Sequence, residues 1–341
     1  MKKLSLVILF TLFIICNSCS GKNESNYLSI AVTSYDDGAN PENGMTITVL
    51  KYNFNDKPSE VGRVPYTSQY PLAVYYENDN CIYYSAKSSF GRGDQLWKYN
   101  LETKKHQQLT DSLFAINYII PRKKDIILVT CPKGEDADIP LIFDKASETL
   151  KNIDFGFGFD CRICTYQPTN DRLIMAGDSY TEAMDAINTH NAMVKTNPDV
   201  PDYPPPAYFY ELDGTIPKLL LKLDRFSITN LAIIDKHSFF YKGNAHHLVG
   251  ERDFPFTQHK FDGRTSSECT LIDESKIYAY NDFVFTSKND IYLRGVLNNS
   301  PSGTTPSLYH YNIKTSNIDL IYDSNIIDGY MNNFVFLSSE H

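Results

Sequence analysis

Three observations predict an all-β chain folded as a six-bladed β-propeller closed by its C-terminal strand. A phrase of apolar or aromatic residues, one polar residue and a turn recurs at a nearly fixed step. Short runs rich in Val, Ile, Tyr and Phe fall about four to a step. The two ends of the chain supply complementary parts of one unit.

The clearest copies of the phrase are Leu96-Trp97-Lys98-Tyr99-Asn100-Leu101-Glu102-Thr103 and Leu308-Tyr309-His310-Tyr311-Asn312-Ile313-Lys314-Thr315. Its polar residue falls at Asn53, Asn100, Asp144, Glu211, Lys260 and Asn312, in steps of 47, 44, 67, 49 and 52 residues. Steps of this size with several short strands each mark propeller blades. Six anchors predict six blades, and a seventh would require the long fourth step to hide a degenerate unit. Within a unit, strands A to D are illustrated by 115–120, 126–131, 140–144 and 150–153. A polar turn, Pro121 to Asp125, joins A to B, and comparable turns occur at 167–171, 235–238 and 287–290.

The N-terminal part offers strands B (28–33), C (46–53) and D (61–64) without a strand A. The C-terminal part offers an unpartnered strand, Tyr330 to Leu337, directly after the last D strand, 318–322. That segment is expected to become strand A of the first blade, removing the open edges that invite aggregation.

Cys81-Ile82-Tyr83-Tyr84-Ser85, Gly93-Asp94-Gln95-Leu96-Trp97-Lys98-Tyr99-Asn100-Leu101 and Gln107-Gln108-Leu109-Thr110 together resemble the TolB-type (WD40-like) propeller repeat. Ser85-Ala86-Lys87-Ser88-Ser89 stands where that family commonly carries Ser-Asp-Arg-Asp-Gly. The resemblance therefore implies the fold and does not carry a partner across.

Residues 1–18 read as a targeting segment, with a basic start at Lys2 and Lys3 and an apolar run from Leu4 to Ile15 that is too short to span a bilayer comfortably. Asn17-Ser18-Cys19 resembles a bacterial lipobox, which makes Cys19 the expected acylation site. Cys16 is the alternative acceptor, disfavoured by the bulky Ile15 before it, and a plain secretory signal or an uncleaved anchor is the other reading. Residues 19–26 would be the lipidated cysteine and a polar tether, and 27–341 a single propeller domain. The chain is then expected on the cell envelope, on the outer membrane, facing the periplasm or the cell surface. The formal charge is −9, or −11 without the two lysines, and no basic patch stands out. Nucleic acid is therefore not expected as a partner, and the membrane only through the lipid anchor. Cys81, Cys131, Cys161, Cys164 and Cys269 lie in apolar strands and read mostly as small buried hydrophobes.

Every A–B and C–D turn is short, whereas every B–C loop is longer: 34–44, 87–93, 132–139, 177–206, 244–255 and 297–305. In a propeller the B–C loops share one face with the D–A crossovers, so that face is expected to carry recognition. The 177–206 insertion accounts for the long step. Ser179-Tyr180-Thr181-Glu182 fits a capping box, and Met184, Ile187, Asn191 and Val194 share one helical face, expected to pack on the ring. Phe90, Arg92, Tyr203, His246, His247, Arg252, Phe254 and Phe256 are the candidate binding residues on this face.

Ser34-Tyr35-Asp36-Asp37-Gly38 matches half of a sialidase Asp-box but lacks its Trp, and it reads as an ordinary acidic loop rather than a calcium site. His246-His247 with Glu251 and Asp253 could ligate a metal, but adjacent residues of an extended segment point opposite ways. Cys161 and Cys164 have redox-motif spacing, yet on a regular strand i and i+3 face opposite sides. No nucleophile elbow is present. The sequence thus predicts no cofactor and no metal. It predicts a non-enzymatic binding or scaffold lipoprotein for an envelope protein, peptide or glycan. The alternatives are a glycan hydrolase or lyase using channel carboxylates, and a purely structural envelope component.

Overall fold

The computed structural model describes residues 25–35, 45–90, 93–134, 137–198, 204–247, 250–262, 266–325 and 329–339, with the side chains at 35, 245–255, 266 and 281 left aside. Its strands form six four-stranded antiparallel sheets. Blade 1 comprises β24 (Gly329–Ser339), β1 (Ser25–Tyr35), β2 (Met45–Tyr52) and β3 (Ser59–Pro65), in that order from inside to outside. Blade 2 comprises β4 (Ala73–Tyr76), β5 (Cys81–Lys87), β6 (Asp94–Asn100) and β7 (His106–Gln108). Blade 3 comprises β8 (Leu113–Pro121), β9 (Asp125–Pro132), β10 (Ile139–Asp144) and β11 (Thr149–Asn152). Blade 4 comprises β12 (Phe159–Gln167), β13 (Arg172–Ser179), β14 (Ala207–Asp213) and β15 (Ile216–Leu223), with the helix α1 (Tyr180–Val194) inserted between β13 and β14. Blade 5 comprises β16 (Phe226–Asp235), β17 (Ser238–His247), β18 (Gly250–Lys260) and β19 (Ser266–Glu268). Blade 6 comprises β20 (Ile277–Ser287), β21 (Asp290–Leu297), β22 (Ser307–Asn312) and β23 (Asn317–Tyr322).

The ring closes as the sequence predicts. β24 pairs with β1 from Ser339↔Ser25 to Gly329↔Ser34. β1 begins at Ser25, inside the stretch expected to be tether, and Ser25 and Asn26 already pair with Ser339 and Ser338.

The recurring polar anchor has a local cause. Asn100 Oδ1 accepts the backbone N–H groups of Glu102 and Thr103, and Asp144 Oδ1 those of Ala146 and Ser147. Asn312 Oδ1 accepts from Thr315. Each side chain thereby folds the C–D turn that follows it. Four residues on, Lys104, Glu148 and Ser316 complete these turns at positive φ. The Leu-Thr ending of the repeat is equally physical. Thr110 Oγ1 donates to Gln95 Oε1 at 3.0 Å and accepts from Leu96 N at 2.9 Å, while Gln95 Nε2 reaches Leu113 O at 2.6 Å. This buried chain of bonds ties blade 2 to the start of blade 3.

The core lies between blades. Ile120, Ile127, Val129, Leu173 and Met175 fill the space between blades 3 and 4, and Ile174, Phe209, Phe239 and Tyr241 that between 4 and 5. Phe240, Phe285 and Leu293 join 5 to 6, and Leu28, Ile30, Tyr292 and Phe336 join 6 to 1. Burial at roughly 25 cal/mol per Å² of apolar surface makes these faces the main source of stability.

Candidate functional site

The B–C loops and D–A crossovers define an upper face, and the A–B and C–D turns a lower one. On the upper face, Ser179 caps α1 as expected by accepting the Glu182 N–H. The reciprocal arm of the capping box does not form: Glu182 instead accepts from the Tyr208 hydroxyl at 2.7 Å and pairs with Lys222 at 3.3 Å. The orientation of α1 also differs from expectation. Ala186 is its buried residue, whereas Tyr180, Met184 and Ile187 are exposed. The propeller-facing side is made of small residues, so the bulky apolar stripe points outward.

That stripe is part of a larger pattern. The large apolar side chains exposed among the described residues are twelve, and nine lie on the upper face: Tyr70, Phe90, Phe114, Phe157, Tyr180, Met184, Ile187, Tyr278 and Tyr280. The other three, Ile216, Leu219 and Leu320, sit on outermost strands. Phe90 is 98% exposed. Phe256, expected as a binding residue, is core: it is buried against Phe283 with ring centroids 5.9 Å apart, and the Lys242 ammonium sits over its ring at 5.0 Å. Cys19, Arg92 and Tyr203 lie outside the described residues, as does the acidic loop 36–44. The expected loop 244–255 is instead the tip of a long hairpin, because the ladder continues through Ala245↔Arg252, His246↔Glu251 and His247↔Gly250, with Gly243 opposite Phe254. Among the described residues no group of His, Cys, Asp and Glu is arranged to hold a metal ion.

At the centre the inner strands of five blades, with Tyr70 and Leu72 of the crossover into blade 2, line a cavity of about 370 Å³. On its wall, Arg294 and Asp282 of the neighbouring strands β21 and β20 form an ion pair at 2.5 Å, and Arg294 also donates to the Met331 carbonyl at 3.2 Å. Asp282 keeps 35% of its side-chain surface open to the channel. Protein walls it in elsewhere, and this burial raises its carboxyl above the usual range while Arg294 opposes the shift. Asp282 is the one carboxylate lining the cavity among the described residues, so the facing acidic pair required by the hydrolase alternative is not present there.

Above the cavity, Arg162 bridges the buried Asp160 at 2.8 Å and Asp178 at 2.9 Å, and Asp160 also accepts the Asp138 N–H. Burial raises the carboxyls of Asp138 and Asp178; Asp160 adds to the first shift and Arg162 opposes the second.

Arg162 occupies a β-bulge, since Cys161 faces Gly177 and Ile163 faces Ala176. The extra residue returns Cys161 and Cys164 to the same side, where both are buried in the blade 3–4 core. The expectation that they face opposite ways is thus overturned by one inserted residue. Both are free thiols, and burial raises both well above the ordinary thiol range.

The sequence reading missed Arg162, Asp282, Arg294, Asn117 and Asn332. A signal for them existed. Gly177, Gly243 and Gly295 recur on the second strands of blades 4 to 6, opposite the residue that precedes each bulge. A Cβ at Gly177 would lie 2.0 Å from the Asp160 carbonyl oxygen, and one at Gly243 2.3 Å from that of Ser227. The bulging inner strand leaves no room for a side chain there.

No protein-family profile matches the chain, and no curated protein is similar to it. Solved structures are. A chain of a nidogen/laminin complex aligns with a TM-score of 0.52 at 14% identity, over 93% of this chain and 100% of that one. Hydrazine synthase from Kuenenia stuttgartiensis aligns with a TM-score of 0.55 at 10% identity over 93% of this chain, which spans 47% of that one. TolB from Acinetobacter baumannii gives a TM-score of 0.49 at 12% identity, over 92% of this chain and 66% of that one. The likeness to the first two is one of fold, and the chain is a six-bladed β-propeller.

Proposed function

We propose that the protein is a membrane-anchored, non-enzymatic binding module of the cell envelope that holds a protein or peptide partner on its upper face. The observation that carries this reading is the gathering of exposed apolar side chains on that face, nine of twelve among the described residues. Contiguous exposed apolar surface marks interaction sites, and aromatic anchors contribute most of the binding energy.

Acylation at Cys19 supplies the anchor in this reading, and the fold gives it a direction. Ser25 and Ser339 lie at the lower face, where the Asn78 amide of an A–B turn reaches the Ser338 carbonyl. The residues from Cys19 to Ser25 reach at most about 20 Å. An anchored propeller therefore turns its plain lower face to the membrane and offers its upper face outward. Phe90 and the Tyr180, Met184 and Ile187 stripe are then the leading contacts.

Two experiments test this. Cys19→Ala should release the protein from the membrane fraction, and continued membrane association would remove the anchor from the proposal. Cross-linking in intact cells should capture a partner with the wild type and lose it with Phe90→Ser combined with Met184→Ser and Ile187→Ser, at an unchanged unfolding midpoint. Equal capture by both proteins would refute the docking face.

A further inference from the structure

The inner strands share a feature that their sequences do not advertise. Five of the six break register in their upper halves. The residue passed over is Asn117 in β8, Arg162 in β12, Thr229 in β16 and Asn332 in β24. In β20 the three residues 280–282, Asp282 among them, stand opposite Arg294 alone. Each of these breaks comes three to five residues after the strand begins, which puts them at one level of the ring; β8 also breaks at Phe114, and β16 and β20 break again near their lower ends. β4, the exception, is only four residues long and pairs regularly with β5.

A bulge re-aims a side chain and is commonly placed beside a functional site. Here bulges place polar residues around the channel at a single height, and Asn117, Arg162, Asp282 and Asn332 all line the central cavity. Below that level the inner strands line the cavity mainly with apolar side chains, among them Ile119, Ile163, Leu231, Phe283, Phe334 and Phe336. Such a polar ring in an apolar barrel costs stability unless its hydrogen bonds are satisfied. Most are: Asn332 bonds Thr33 Oγ1, and Asn333 bonds both backbone groups of Ala73. Within this collar two buried atoms have no protein partner among the described residues, namely Asn117 Oδ1, an acceptor, and Arg294 Nε, a donor.

We infer that this collar is a binding site for a small neutral polyhydroxylated molecule, a mono- or disaccharide in chemical class. The argument is one of complementarity. Asp282 and Arg294 already neutralise each other, so a charged ligand would have to break their pair. A hydroxyl group both donates and accepts, so it can satisfy Asn117 Oδ1 and Arg294 Nε without disturbing that pair. The cavity, about 370 Å³, is of the size that small-ligand sites occupy. The inference stands apart from the docking face, because Phe90 and the α1 stripe do not line this cavity.

The test is calorimetric titration of the full chain with glucose, N-acetylglucosamine, maltose and cellobiose, and separately with glycine and L-alanine. At least one sugar should bind at millimolar concentration or below, and the amino acids should not. Arg294→Gln and Asn117→Ala should each weaken binding about tenfold, the effect of losing one buried hydrogen bond. Phe90→Ser should leave sugar binding unchanged. Unfolding midpoints show which variants remain folded; Asn117→Ala removes an amide without touching the ion pair, so it serves if Arg294→Gln does not fold. Binding of the amino acids alone, binding of no sugar, or sugar binding indifferent to Asn117→Ala would overturn the inference.

Discussion

The hydroxyl of Ser25 lies 2.5 Å from that of Ser339, 314 positions further along the chain. From this pair upward, β24 fills the innermost place of the first blade and gives β1 its missing inner neighbour. Phe336, with Phe334 one of two phenylalanines this strand buries, is 1% exposed and edge-on to Phe54 at 6.0 Å. Phe336→Ala is expected to cost about 3–5 kcal/mol in denaturant unfolding. A loss below about 1 kcal/mol would mean that closure contributes little.

The bulge at Arg162 makes a second prediction. Gly177→Ala forces a methyl group into the Asp160 carbonyl and should destabilise by about 2–3 kcal/mol. Gly158→Ala, whose new Cβ would meet only Tyr180 Cβ at 3.7 Å, is the control and should be near neutral. Equal effects of the two would show that the close approach is not what requires glycine.

Arg162→Ala leaves Asp160 and Asp178 buried without their cation. With the arginine itself half exposed, the cost at neutral pH should be moderate, roughly 2 kcal/mol. The pH dependence is the sharper test. Losing the cation raises the folded-state pKa of Asp138 and Asp178, which Arg162 now holds down against their burial, further above their unfolded values. The folded variant then takes up protons first as pH falls, so its deficit is full above those raised values and shrinks as the pH drops through them. Unfolding followed from pH 7 to pH 4 should show the two proteins converging, and a constant gap would count against the ion-pair account.

Cys269 donates its thiol to the Phe256 carbonyl at 3.3 Å, and burial raises it to about 11. At pH 8 its alkylation should run about a hundredfold slower than that of an ordinary thiol with a pKa near 9, and accelerate steadily toward pH 11. Mass spectrometry of iodoacetamide-treated protein reads this out. Rapid modification at pH 8 would place Cys269 in a more open setting.

Much of the ring was legible because it depends on local chemistry. Asn100, Asp144 and Asn312 recur because each caps its own turn, and Thr110 because it bonds Gln95. The split blade could be read because strand A was missing at one end and spare at the other. What escaped the sequence depends on register between strands. Nothing in the sequence around Arg162 marks it, because one extra residue in β12 is what turns it over the channel, and Asp282 meets its partner only through the wide bulge opposite Arg294. The α1 stripe misled for another reason. Periodicity identifies an apolar face without saying what lies beside it, and Ala183 and Ala186, being small, won the contact with the blades.

The divided first blade also imposes an order on biosynthesis. β1 is made early, yet its inner backbone edge has no partner until β24 emerges from the ribosome. Throughout that interval a strand carrying Leu28, Ile30 and Val32 presents open N–H and C=O groups to any passing chain. A nascent protein of this design depends on protection until its last strand arrives, and slowed translation near residue 329 would lengthen the time in which it can aggregate.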